Sequence, residues 1–159
     1  MIGESVHPDF RKHILDLGYD VLDEASLYNY FDILYDYDVF PAFQKAMHGE
    51  ITLSNYMDKI IEQEQKLPMG YVKLRYIENH DMPRIMSYFK NKEASFCGIA
   101  LIYMLRGMTF LYNGIETLSD HQISLFDKDD IEWDKKEEDV VSFISVSYTH
   151  LRAHETDSY

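Results

Sequence analysis

With one cysteine, Cys97, among 159 residues, the chain can form no intramolecular disulfide and no thiolate zinc site. Cys97 falls in the apolar run Phe96-Cys97-Gly98-Ile99-Ala100-Leu101, where a small core residue is expected rather than a nucleophile. Basic residues are also scarce: 15 Lys and Arg stand against 28 Asp and Glu, a net charge of −13. That deficit argues against nucleic-acid and anionic-membrane partners. An acidic surface by itself names no other partner. The longest apolar run, near Ile99 to Leu105, is too short to span a bilayer. The start, Met1-Ile2-Gly3-Glu4, lacks the basic region and apolar stretch of a secretion signal.

What is present is an apolar, patterned chain. It is 46% hydrophobic and 14% aromatic, too apolar for disorder and long enough to bury a core. Pro8 suits a first helical turn, Phe10, Ile14 and Leu17 follow at helical spacing, and Gly18 is a natural stop. Tyr30 to Tyr37 reads as a strand and Pro41 to Met47 as a short helix. Ser54 opens a second helix with Tyr56, Ile60, Glu64 and Leu67 on one stripe, closed by Pro68. Tyr71 to Ile77 reads as a strand, and a short helix is expected after Pro83. Ala94 to Arg106 is the most apolar helix, followed by a strand at Met108 to Tyr112 and the turn Asn113-Gly114. Leu118 to Glu138 reads as irregular, anchored by Phe126, Ile131 and Trp133.

Alternating strands and helices predict βα units around a parallel sheet. In such folds the carboxyl ends of the strands carry the chemistry. Gly3-Glu4, Asn79-His80-Asp81 and Asn113-Gly114-Ile115-Glu116 each follow a predicted strand and are expected to meet at one face. Asp81 follows Glu4 by 77 positions, which fits two βα repeats of roughly 35–40 residues.

Glycoside cleavage needs a carboxylic acid for the leaving oxygen and carboxylates to support an oxocarbenium-like centre. Glu4 could be the acid, and Asp81 could support the cation or bind sugar hydroxyls. His80 could donate to a hydroxyl, and Asn79 could orient its neighbours. Each also has a plainer reading: Glu4 as a solvated surface charge, Asn79-His80-Asp81 as a turn that caps its own backbone. Arg84 is expected to pair with Asp81 or Glu78. His7, His13 and His48 lack matched spacing and read as surface residues, as do His121, Asp127, Asp129 and Asp130 in their loop. Asp36 and Asp38 lack the rest of a calcium loop.

Taken together, Ile2-Gly3-Glu4, Ile77-Glu78-Asn79-His80-Asp81-Met82-Pro83-Arg84 and Gly107 to Glu116 resemble, in order and spacing, the late-barrel blocks of the α-amylase family of glycoside hydrolases. Leu125-Phe126-Asp127 and Ile131-Glu132-Trp133 fit the same pattern. The resemblance covers residues 1 to about 145 and implies a partial (β/α)8 TIM barrel, roughly strands five to eight, truncated at the N-terminus. By the resemblance, Glu4 matches the general acid/base, Asp81 the carboxylate that stabilises the transition state, and His80 its substrate-binding neighbour. Glu116 matches a mainly structural residue, although Ile115 stands where the family usually carries Gln. The implied substrate is an α-glucan or maltooligosaccharide, and the implied reaction retains configuration.

The block that carries the nucleophilic aspartate belongs upstream of Glu4 in the family, and no such block occurs here. The isolated chain is therefore expected to be inactive and to need the other half of the barrel. The inserted domain that often holds calcium is also upstream, so no metal or other cofactor is implied. Ser147 to Thr156 resembles a translated sequencing adapter; residues 146–159 are expected to be a non-native, disordered tail. Two rival readings stand beside this one. One is a non-catalytic carbohydrate-binding or interaction module that dimerises through open sheet edges. The other is an unrelated α/β domain with a chance Asn-His-Asp.

Overall fold

The computed structural model describes residues 1–5 and 7–156, the last six by backbone alone. They form two compact units, Met1–Leu74 and Arg75 onward.

The first unit is built on three parallel strands, β1 (Ile2–Gly3), β2 (Ile33–Tyr35) and β3 (Val72–Arg75, whose last residue belongs to the second unit). β2 lies between the other two, with Gly3 opposite Leu34 and Leu34 opposite Lys73. Gly3 is required there: a Cβ on it would lie 2.6 Å from the Phe31 ring and 2.9 Å from Leu34. Helices α1 (Pro8–Asp16) and α2 (Glu24–Leu27) connect β1 to β2, and α3 (Phe40–Met47) and α4 (Leu53–Lys66) connect β2 to β3. The predicted stripe of α4 does bury Tyr56, Ile60 and Leu67, with Gln63 beside them. Thr52 caps it: its Oγ1 accepts from Asn55 N at 3.1 Å, and Asn55 Oδ1 accepts from Thr52 N.

Some local expectations change. The strand read at residues 30–37 shrinks to three residues, because Tyr28 to Tyr30 continue α2 in tight turns. α2 itself was not legible, being one helical turn held by Asp23 Oδ1 accepting from Ser26 N at 2.7 Å. The apolar residues of α1 are not core: Phe10 is 54% and Leu17 58% exposed.

The second unit starts at the end of β3, where Phe110 N donates to Arg75 O and sets β4 (Met108–Thr109) alongside. Helices α5 (Ile85–Phe89) and α6 (Lys92–Met104) connect them, and α7 (Glu138–Thr156) follows. α6 buries Ser95, Gly98, Ile99, Ile102 and Tyr103. Cys97 falls on its exposed side, contrary to the core position expected of it, because helical spacing puts it opposite Ser95 and Ile99. α7 packs on α6 through the stacked rings of Phe143 and Phe96, 4.7 Å between centroids, and buries Val140 completely.

The helix also runs on through Thr156; residues 157–159 of the expected tail lie outside the described residues. Once a helix is nucleated, each added residue gains one hydrogen bond at low cost, so weak patterning suffices to extend it. In the loop after β4, Ile131 packs inward but Phe126 is 94% exposed, so Phe126 is no anchor. No described helix is long and apolar enough to cross a membrane. These βα units with parallel strands are the architecture expected of part of a (β/α)8 barrel.

Candidate active site

Asn79, His80 and Asp81 lie four to six residues beyond β3 and Glu116 seven beyond β4, further than expected, because β3 ends at Arg75 and β4 at Thr109. In the first unit, Glu4 directly follows β1 and is exposed. Tyr37, two residues past β2, donates its hydroxyl to Glu4 Oε1 at 3.1 Å and stacks on Tyr35 at 5.5 Å between ring centroids. Tyr37 was not singled out from the sequence, although its place just beyond a strand was the available signal. Asp36 and Asp38 serve another purpose than calcium: Gln63 Nε2 donates to both, at 2.9 and 2.8 Å. The buried Lys73 ammonium donates to Asp38 at 2.7 Å, to Tyr35 O at 3.3 Å, and to Glu24. Burial pushes the Glu24 carboxyl above its ordinary value, and Lys73 pulls it back.

The second unit holds the Asn79-His80-Asp81 turn. Asn79 is buried, and its Oδ1 accepts from Asp81 N at 3.0 Å, the local bond that makes Asn a turn residue. Met82 N closes the turn onto Asn79 O at 3.3 Å, and Pro83 disfavours helical backbone at Met82 before it. His80 Nε2 lies 3.5 Å from Asp81 Oδ2, and the two side chains are 33% and 48% exposed. The turn is thus locked at Asn79 and open at His80 and Asp81.

Beneath it lies a buried ion pair. Arg84 Nη2 is 3.1 Å from Glu78 Oε1, with side chains 2% and 0% exposed. The choice left open for Arg84 falls on Glu78. Glu78 Oε2 accepts from Ile85 N at 2.5 Å, so the same carboxylate caps the first turn of α5. Arg84 Nη1 donates to Asn113 O at 3.0 Å, and its guanidinium sits 5.1 Å over the Tyr112 ring. Gly114, at φ +84°, makes room: a Cβ there would meet Ile131 at 3.0 Å and Arg84 Nη2 at 3.3 Å. Glu116 lies in the 3-10 turn that follows, and its Oε2 is buried. Among the described residues, neither unit by itself groups three His, Cys, Asp or Glu side chains at metal-binding distance.

Burial pushes the Glu78 carboxyl up to about 7, with Arg84 and the Ile85 N–H pulling down and Glu116 adding to the rise. The folded chain then binds a proton that the unfolded chain has lost, so stability falls as pH rises from about 4.5 to about 7. Between about pH 5 and pH 7.5, Glu78 alone is expected to cost about 2 kcal/mol. Urea unfolding at the two pH values reads this as a slope that Glu78→Gln removes; equal slopes in both proteins would refute it.

Comparisons with known proteins identify the family. The family model for the alpha-amylase catalytic domain matches residues 1–147. An alpha-amylase from Lactobacillus plantarum superposes with a TM-score of 0.83 at 35% identity, over 92% of this chain and 36% of that one. A noncanonic maltogenic alpha-amylase, AmyB from Thermotoga neapolitana, gives 0.75 at 23% identity, over 95% and 39%. The cyclic alpha-maltosyl-(1-->6)-maltose hydrolase from Arthrobacter globiformis gives 0.63 at 18%, over 73% and 28%. The last two speak for the fold alone. No curated protein sequence matches. The chain spans under two-fifths of the length of each of these structures. The match over residues 1–147 rules out the reading of an unrelated α/β domain: the chain belongs to the alpha-amylase family, within its catalytic domain.

Proposed function

We propose that this chain contributes the acid/base and transition-state-stabilising residues of a retaining enzyme acting on α-glucosidic bonds of an α-glucan or maltooligosaccharide. The observation that carries the reading is the Asn79-His80-Asp81 turn, held from below by the buried Glu78–Arg84 pair and open to solvent at His80 and Asp81. A site for a sugar needs that combination of a rigid backbone and accessible polar groups.

In this reading Glu4 protonates the glycosidic oxygen and later takes a proton from water or an acceptor sugar. Tyr37 orients Glu4 through its hydroxyl. Asp81 supports the developing oxocarbenium ion, His80 donates to a sugar hydroxyl, and Asn79 fixes the turn. Glu78, Arg84 and Glu116 hold the backbone beneath and touch no substrate. Residues 1–145 are the catalytic-domain portion, and the remainder carries none of these roles.

A double displacement also needs a nucleophile. The block that carries it in the resemblance, upstream of Glu4, does not occur in residues 1–159, so in this reading the attacking carboxylate comes from another stretch of polypeptide. The chain alone is therefore expected to release no nitrophenol from an activated α-glucoside beyond a Glu4→Gln control. Turnover above that control would sink the assignment of roles.

A further inference from the structure

The second unit contains a cavity of about 510 Å³ that none of these roles uses. It opens where the chain leaves β4 and is lined by Tyr112, Asn113, Asp129, Asp130, Ile131 and Trp133. Its volume falls within the roughly 300–1,000 Å³ of small-molecule sites.

The walls are fixed by bonds within the loop. Asp129 Oδ2 accepts from Ser124 N at 2.9 Å and lies 2.8 Å from His121 Nε2, which ties the loop together. Ile131 is seated against Gly114, and Trp133 N donates to Ile131 O at 2.9 Å, so the indole starts from an anchored residue. Tyr112 is pinned by the Arg84 guanidinium. Trp133, the chain's one tryptophan, is nevertheless 49% exposed. A large aromatic group held rigidly and left half in water is a surface prepared for a ligand.

The chemistry of the lining selects that ligand. Two carboxylates disfavour an anion. An indole and a phenol beside an amide and carboxylates suit a neutral ring with an apolar face and a rim of hydroxyls. A pyranose is such a ring: its C–H face fits the electron-rich aromatic face, and its hydroxyls donate to carboxylate and amide oxygens. We propose that this pocket is a separate glucosyl-binding site, with the Trp133 indole under one pyranose and Asn113 and Asp130 on its hydroxyls. The choice of an α-linked glucan rests on the function proposed above.

Because Trp133 is the only tryptophan, its emission reports the site directly. Titration of the full chain with maltoheptaose is expected to give a saturable change in that emission, and cellohexaose none. Trp133→Ala and, separately, Asp130→Ala are expected to lower retention on a starch gel at least tenfold. Asp130 is 79% exposed, so its variant folds whether or not Trp133→Ala does. Maltoheptaose binding with unchanged emission, and undiminished retention of the Asp130 variant, would overturn the pocket while leaving the proposed function in place. No binding of maltoheptaose by the unmodified chain would overturn the pocket while leaving the proposed function in place, and equal binding of cellohexaose would overturn its choice of an α-linked glucan.

Discussion

Arg84→Met is expected to destabilise the chain by about 3–5 kcal/mol well above pH 7, where the Glu78 carboxyl is ionised, the usual cost of removing one partner from a buried ion pair. Methionine fills much the same volume as the arginine stem, so packing changes little. What disappears is charge and direction. Glu78, completely buried, would keep its carboxylate with no cation opposite and with Glu116 nearby. Asn113 O would lose its donor, and the Tyr112 ring its guanidinium. The Glu78 carboxyl, already raised to about 7 with Arg84 in place and higher without it, escapes by taking a proton, so the loss should shrink as pH falls towards neutrality. Arg84→Lys keeps the charge but has no fork to reach Glu78 and Asn113 together, and should fall between. Urea unfolding at matched pH tests this, with the slope against urea unchanged so that the midpoint reports stability. A methionine variant within about 1 kcal/mol of the parent well above pH 7 would show that the pair holds nothing.

The effect on the site should follow from the same contact. Glu78 precedes the Asn79-His80-Asp81 turn, and Arg84 follows it. The pair therefore staples the two ends of a short loop that is also held by Asp81 N to Asn79 Oδ1 and Met82 N to Asn79 O. Loss of the staple frees the turn before it unfolds the unit.

How much of this was legible in the sequence depends on the range of the interaction. α4 was readable because a 3.6-residue pattern is local, and α6 because a long apolar run ends at Gly107. So was the position of Glu4 directly after a strand, since it needs only alternating elements and their spacing, whereas Asp81 and Glu116 stand six and seven residues past strands that end early. α2 was too short to have a period, and the exposed face of α1 carries the same apolar spacing as a buried one. The partner of Arg84 was narrowed to two carboxylates by spacing alone. Choosing Glu78 required the side-chain direction, which a turn of irregular dihedrals does not encode. Trp133 was read as an anchor because large aromatic groups are usually buried. Its exposure depends on Ile131 taking the inward position at Gly114, a contact between segments 17 residues apart. Lys73 gave no sign at all, since a lysine in a short strand reads as an edge charge.

Lys73→Met should produce the matching loss in the first unit, also about 3–5 kcal/mol at neutral pH. The Lys73 side chain is completely buried in the middle of β3, opposite Leu34 in the register. Its ammonium meets Glu24, Asp38 and Tyr35 O, so all three of its protons have acceptors. With methionine there, Glu24 from α2 and Asp38 beyond β2 face each other without a cation. Asp38 keeps the Gln63 amide, whereas Glu24 loses the partner that pulls its raised carboxyl back down. Glu24 is then the group that protonates. Its folded-state value lies above the unfolded one, so the variant regains stability as pH falls through that value, the same sign as for Glu78. Adding Glu24→Gln to Lys73→Met removes the uncompensated charge and should recover a large part of the loss at neutral pH. The two losses would simply add if the residues acted independently. A double variant at least as unstable as the sum of the singles would place the stabilising contact of Lys73 on Asp38 and Tyr35 O instead.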